Sequence, residues 1–178
     1  MGFPKALLNY RGETFVDRLI GLFSRYCSPV IVVTGAHADR IRAGSARAVE
    51  AQFVVNQNWA CGQITSLQCG LASVPKDSAG VLYTLVDHPA VTEDTVARLT
   101  APGPGLLRIP RYGGRRGHPI WIGQSLLPEF LDARAGETAR DIVRRHVEDT
   151  FYVDVDDPGV LADIDDAHAY RALMEGVQ

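Results

Sequence analysis

Lysine is almost missing from this sequence: of 18 basic residues only Lys5 and Lys76 are lysines, and the rest are arginines. Cysteine is sparse too. Cys27, Cys61 and Cys69 form no C-x-x-C pair, and an odd number argues against a disulfide framework. Free thiols in a reducing, cytoplasmic setting are the expectation. No apolar run approaches the roughly 20 residues that cross a bilayer, and no signal-peptide core opens the chain. Ala6 stands where a myristoylation signal needs Ser or Thr. Positive charge is not in excess: the net charge is −3, so neither nucleic acid nor a membrane surface is expected as a partner. Neither G-x-x-x-x-G-K-[ST] nor G-x-G-x-x-G occurs, which removes the P-loop and the dinucleotide fingerprint. His37, His88, His118, His146 and His168 lack the close paired spacing of a tetrahedral zinc site.

What is present reads as one domain spanning residues 1–178, long enough for a sizeable core and too short for two ordinary ones. Apolar residues make up 46% and charged ones 22%, close to an average globular protein. Three short apolar runs, Val30 to Gly35, Ala51 to Asn56 and Gly80 to Asp87, read as strands buried on both faces. Helical spacing lies between and after them. Glu13 to Tyr26 puts Phe15, Leu19, Leu22 and Phe23 on one face. Thr92 is placed to cap a following helix, with Glu93 and Asp94 in its first turn.

Strands alternating with helices predict a doubly wound, mostly parallel α/β sheet covered on both sides, hence three layers. After Ala101 the pattern loosens. "LLRIPRYGGRRGHPIWIG" reads as two strands around a turn, two helical stretches follow, and "TFYVDVDDPG" reads as a short strand. A mixed or antiparallel insertion in the second half is therefore expected. One oddity stands at the front: the chain opens with a loop and a helix that no strand precedes. In such a sheet that leaves a strand edge or a helix face without its partner.

Ligands of open α/β sheets bind beyond the carboxyl ends of the strands. Asp87 ends the run "VLYTLV" and is followed by His88 and Pro89, a position suited either to Mg²⁺ or simply to capping the next turn. "VDVDDPGVLADIDDAHAY" carries many aspartates. A solvated acidic face explains such a run, although alternation in "LADID" also allows one carboxylate to point inward beside Asp87. "GGRRGHPIW" offers either a charged surface hairpin or arginines that fork onto phosphate.

Taken in order, "MGFPKALL", "VIVVTGAHAD", "VVNQNWACGQITSLQCGL", "LVDHPAVTEDTV", "IPRYGGRRGHPIWIG" and "DPGVLADIDDAHAY" resemble the MobA-like NTP transferases, in particular the molybdenum cofactor cytidylyltransferases. The resemblance implies a Rossmann-type fold like that of nucleotide-diphospho-sugar transferases. It implies transfer of a nucleoside monophosphate, CMP from CTP, to a phosphorylated acceptor such as molybdopterin, with Mg²⁺ and release of pyrophosphate. Lys5 would contact the NTP phosphates. Asn56, Gly62 and Ser66 would line the nucleotide pocket, with Trp59 as a packing residue. Asp87 would hold the metal, joined by Asp165, and Gly117 and His118 would border the acceptor. A molybdoenzyme or accessory protein would be the protein partner.

The departures from the family pattern are specific. Val86 and His88 stand where Gly and Gln are usual, and "DIDDAHAY" lacks the T-P-E-D that usually opens the last helix. The opening strand and its glycine-rich loop have no counterpart, and "MG" overlays only the end of the family's R-M-G motif. The expectation is an N-terminally truncated domain whose Met1 is an internal methionine. Two other readings stay open: a non-catalytic binding protein, and an enzyme for a sugar-phosphate or phospholactate-type acceptor.

Overall fold

The computed structural model describes residues 3–134 and 136–176, so Met1 and Gly2 of the opening motif lie outside the described residues. A 3₁₀ turn at Lys5–Leu7 leads into a two-stranded ribbon, β1 (Asn9–Tyr10) and β2 (Glu13–Thr14). Helix α1 (Phe15–Phe23) follows, capped where Thr14 accepts from the Asp17 N–H. Then come β3 (Ile31–Thr34), α2 (Ala38–Gly44), β4 (Gln52–Val55), α3 (Gln63–Leu71), β5 (Gly80–Tyr83) and α4 (Glu93–Thr100). The second half holds β6 (Leu107–Tyr112), β7 (Arg115–Arg116), β8 (Ile120–Gly123), α5 (Leu127–Leu131), α6 (Ala139–Arg145), β9 (Thr150–Asp154) and α7 (Ala167–Glu175).

Strand alternation sorts the side chains into layers. Val32 and Phe53 point to one face, where Val16 and Ile20 of α1 and Ile41 of α2 cover them. Leu82 joins Leu19, Phe23, Val96 and Leu99 on that side. Val81 and Tyr83 point the other way, to Leu67 and Leu71 of α3, Phe130 of α5 and Ile142 of α6. The result is the expected three-layer α/β arrangement, because residues one apart on a strand face opposite ways.

Apart from the β1–β2 ribbon, the strands of the described residues fall into two separately hydrogen-bonded groups. β3 pairs in parallel with β4. β5 pairs antiparallel with β8, β8 antiparallel with β6, and β6 in parallel with β9. The antiparallel β8, with the β6–β7 hairpin, is the insertion expected in the second half. Among the described residues β3 and β5 each have one partner only, and their free edges face a slot of about 470 Å³. Its walls are apolar: Ile20 and Phe23 of α1, Leu67 and Leu71 of α3, Val33 of β3 and Val81 of β5 all reach it. Burial on both faces was the expectation for these strands. Instead Ile31, Val32 and Val33, and all of β5, are only half-buried, because no strand of the described residues fills the space between them.

The acidic tail is not uniformly solvated. Asp157 is buried and accepts from the Thr92 N–H at 2.8 Å, the Thr92 and Thr95 hydroxyls at 2.8 and 2.6 Å, and the Gly159 N–H at 2.9 Å. It fastens the 3₁₀ turn Pro158–Leu161 to the start of α4. Gly159 itself is obligatory, since a Cβ there would lie 2.3 Å from the Ala90 carbonyl oxygen.

Candidate active site

β5 stops at Tyr83, and Thr84 and Leu85 lead into a turn at Val86 and Asp87 that carries Asp87 to the lip beyond the strand end. Ile164 decides what meets it. This buried side chain packs with Tyr10 and Phe15, while its N–H donates to the Asp87 carbonyl at 3.0 Å. The flanking residues Asp163 and Asp165 both reach the lip, Asp163 beside Asp87 and His88 and Asp165 on Lys5. Lys5 arrives from the other end of the chain. Ala6 anchors it among Val16, Ile20 and Val86.

These segments make a compact charged group. Lys5 Nζ lies 2.6 Å from Asp165 Oδ1 and 3.9 Å from Asp87 Oδ2. The other oxygen, Asp87 Oδ1, is buried, has no hydrogen-bond partner among the described residues and sits 4.0 Å from His88 Nε2. One ligand atom each from Asp87, His88 and Asp163 lie within 4.8 Å of one another. Burial raises the Asp87 pKa, opposed by the neighbouring His88 and reinforced by Asp163. Burial lowers that of His88, opposed by Asp87, Asp163 and Asp165. A half-buried carboxylate with an unsatisfied oxygen and two acidic neighbours is short of positive charge, and the donors fit a divalent cation.

His118 lies directly behind His88, with ring centroids 4.8 Å apart, and packs edge-on to Tyr83 at 5.8 Å. Burial, with His88 next to it, pushes its pKa down to about 4. Gly117 is required by close approach: a Cβ would stand 2.1 Å from the Val160 carbonyl oxygen. Both residues thus help to hold the turn Pro158–Leu161 and the His88 ring.

Asn56, Gly62 and Ser66 gather on a second wall. Asn56 is buried, donates to the Thr65 and Ser66 hydroxyls at 2.9 and 3.0 Å, and accepts from the Asn58 N–H at 2.8 Å. Its hydrogen bonds face inward and pin the loop ahead of α3. Gly62 holds φ = 111° at the start of α3, a conformation that favours glycine. Ser66 lines the slot that also reaches Val86, the residue before Asp87. Trp59 packs on Gly35, where an added Cβ would meet it at 2.5 Å.

Of the residues the sequence singled out, the structure brings Lys5, Asp87 and Asp165 together. Asp165 sits on Lys5, however, and the carboxylate grouped with Asp87 is Asp163. Asp163 and His88 were not picked out as ligands. The alternation in "LADID" was the available signal for Asp163, and the His at a usual Gln position was the signal for His88.

The fold is that of the nucleotidyltransferases, and residues 1–150 match the profile of the MobA-like NTP transferase domain. The chain belongs to that family. Among curated relatives, the nicotine blue oxidoreductase of Paenarthrobacter nicotinovorans is 32% identical, covering 96% of this chain and 88% of its own length. The molybdenum cofactor cytidylyltransferase of Escherichia coli K12 is 23% identical, covering 93% of this chain and 84% of the relative. Among solved structures, Rv0371c of Mycobacterium tuberculosis H37Rv in complex with manganese superposes with a TM-score of 0.79. That protein is 27% identical, with 97% of this chain and 91% of the other covered. No helix among the described residues is long and apolar enough to cross a membrane.

Proposed function

We propose that the protein is a nucleotidyltransferase that moves CMP from CTP to a phosphorylated, molybdopterin-like acceptor and releases pyrophosphate. The observation that carries this reading is the lip itself: the Lys5 ammonium set against Asp87 and Asp165, with Asp163 alongside. Nucleotidyl transfer asks for positioning and charge neutralisation more than for covalent help. Lys5 is placed to offset charge on the triphosphate, and Asp165 holds its ammonium in position. Asp87 and Asp163 would hold a divalent ion, Mg²⁺ in the family reading. The manganese bound by the Mycobacterium relative supports a divalent site. When bound, such an ion supplies charge neutralisation on the phosphate oxygens. An acceptor phosphate is already ionised near neutral pH, so no strong base is needed. Ser66 and the Gly62 turn line the nucleotide side, and Gly117 and His118 support the acceptor side.

The slot belongs to the same reading. Phe3 lies under Arg40 of α2, with the guanidinium 4.8 Å from its ring centroid, and Lys5 reaches Asp87 beyond β5. The first described residues therefore stand at the carboxyl ends of β3 and β5. A strand running through the slot would pair with both free edges and lead directly into Lys5. We read the full domain as carrying such a strand and its phosphate-binding loop ahead of Met1.

The test is release of pyrophosphate from CTP or GTP with Mg²⁺ or Mn²⁺ and a molybdopterin-type acceptor, on the chain extended by its upstream reading frame. Release with CTP is expected. Oxidation or reduction of nicotine blue without pyrophosphate release would favour instead the activity of the 32% identical relative.

A further inference from the structure

His88 is the residue at the lip that nucleotidyl transfer does not by itself require. It is only 6% exposed, and its Nδ1 is buried with no hydrogen-bond partner among the described residues. Its Nε2 lies 4.0 Å from Asp87 Oδ1, too far for a hydrogen bond and wide enough for an ion to sit between. A histidine that merely filled space would bury Nδ1 unpaired at a cost, with no hydrogen bond among the described residues to offset it. Its ring is also held in place. His118 stacks against it at 4.8 Å, tilted by 34°, and the following Pro89 is fully buried. The imidazole is thus fixed with Nε2 towards the Asp87 carboxylate, and with its proton on Nδ1 it offers the Nε2 lone pair to a cation held between them.

We infer that His88 is a direct metal ligand, completing a His–Asp–Asp set with Asp87 and Asp163 that selects a first-row transition ion such as Mn²⁺ over Mg²⁺. The inference deepens the proposed function and rests on the same lip. Its physical basis is donor softness: Mg²⁺ takes oxygen ligands and water, whereas an imidazole nitrogen favours the transition ions. Asp165 stays outside the set, because Lys5 occupies it at 2.6 Å. The ligand set therefore carries two negative charges and one neutral nitrogen donor.

The probe is Mn²⁺ itself, bound to the full chain and read by pulsed electron paramagnetic resonance. Modulation from a directly coordinated ¹⁴N is expected in the native protein and lost in His88→Gln. Competition between Mn²⁺ and Mg²⁺, followed by the free-Mn²⁺ signal, should show the preference for Mn²⁺ falling on the order of tenfold in that variant, since losing even an outer partner of a ligand costs that much. Asp163→Asn is the companion variant should His88→Gln not fold. It should weaken Mn²⁺ binding while the nitrogen signal remains. Bound Mn²⁺ with no coordinated nitrogen overturns the inference, as does a nitrogen signal that survives in His88→Gln. Pyrophosphate release with no nitrogen signal would strike His88 alone and leave nucleotidyl transfer standing. A nitrogen signal without pyrophosphate release would uphold the ligand and overturn the reaction.

Discussion

Lys5 and Asp165, separated by 160 positions in sequence, meet with Nζ 2.6 Å from Oδ1. The contact joins the first and last parts of the domain across the lip where Asp87 sits. The Asp165 carboxylate is 72% exposed, so water screens the pair and its worth to stability is under about 1 kcal/mol. Asp165→Asn should leave the thermal midpoint within a few degrees of native. Lys5→Ala should instead act on the nucleotide, raising the KM for NTP with little change in the melt. A large loss of stability in either variant would make the pair structural.

Asp87 should trade stability for function. Its pKa is raised, first by burial. A carboxyl raised in the folded state favours folding in its protonated form, at low pH, and that contribution is lost as pH rises through the raised value. At pH 7 the ionised, partly unsatisfied carboxylate is a burden. Asp87→Asn should therefore melt higher than native at pH 7 in chelator, gain little near pH 4, and abolish metal-dependent turnover. Equal melts at both pH values, or retained turnover, would contradict this.

His118 predicts an acid limb. An unfolded chain protonates this imidazole near 6.5, while the folded protein resists protonation down to about 4. Stability present above pH 6.5 should fall as pH drops from about 6.5 to about 4 and then level off. The His88 shift has the same sign and adds to it. Urea unfolding of metal-free protein across that window should show a shallower limb for His118→Asn. An unchanged slope would mean that the ring is not buried neutral.

Asp157 is a structural anchor among the tail aspartates. It accepts from two backbone N–H groups and two hydroxyls. Hydrogen bonds to a charged group are the stronger kind, and their donors would be left buried. Asp157→Ala should cost about 3 kcal/mol by chemical denaturation. Asp156→Ala, at an exposed neighbour, should cost almost nothing.

The slot makes a prediction about length. With the free edges of β3 and β5 lining about 470 Å³ of apolar space, the 178-residue chain should bind a hydrophobic dye and melt early. Translation through the upstream frame should abolish dye binding and raise the midpoint, because a strand there would satisfy both edges. A stop codon just before Met1 would end that reading.

Much of the site was readable because it falls where chain direction changes. Asp87 follows a run of apolar residues and stands at a strand's carboxyl end, the position where α/β sheets bind ligands. Thr92 capped its helix as read, accepting from the Thr95 N–H. Asn56 was legible as important but not as to why, since its inward bonds to Thr65 and Ser66 depend on how the loop returns over α3. Asp163 and Asp165 could not be separated in one dimension. They stand two residues apart in the same acidic run, and only Lys5 and His88, brought from elsewhere, give one carboxylate an ammonium and the other an imidazole.

By itself the sequence determined the layered α/β architecture, since apolar runs of strand length alternating with amphipathic helices have few other ways to bury their surface. It also determined the family and the lip on which Asp87 stands. Only the tertiary structure decided that the sheet of the described residues is split beside β3 and β5, that ligand atoms of Asp87, His88 and Asp163 lie within 4.8 Å of one another, and that Asp165 meets Lys5. Local pattern fixes which face a side chain takes. Which charges meet across a hundred residues is set by how the whole chain packs, and the pattern does not carry that information.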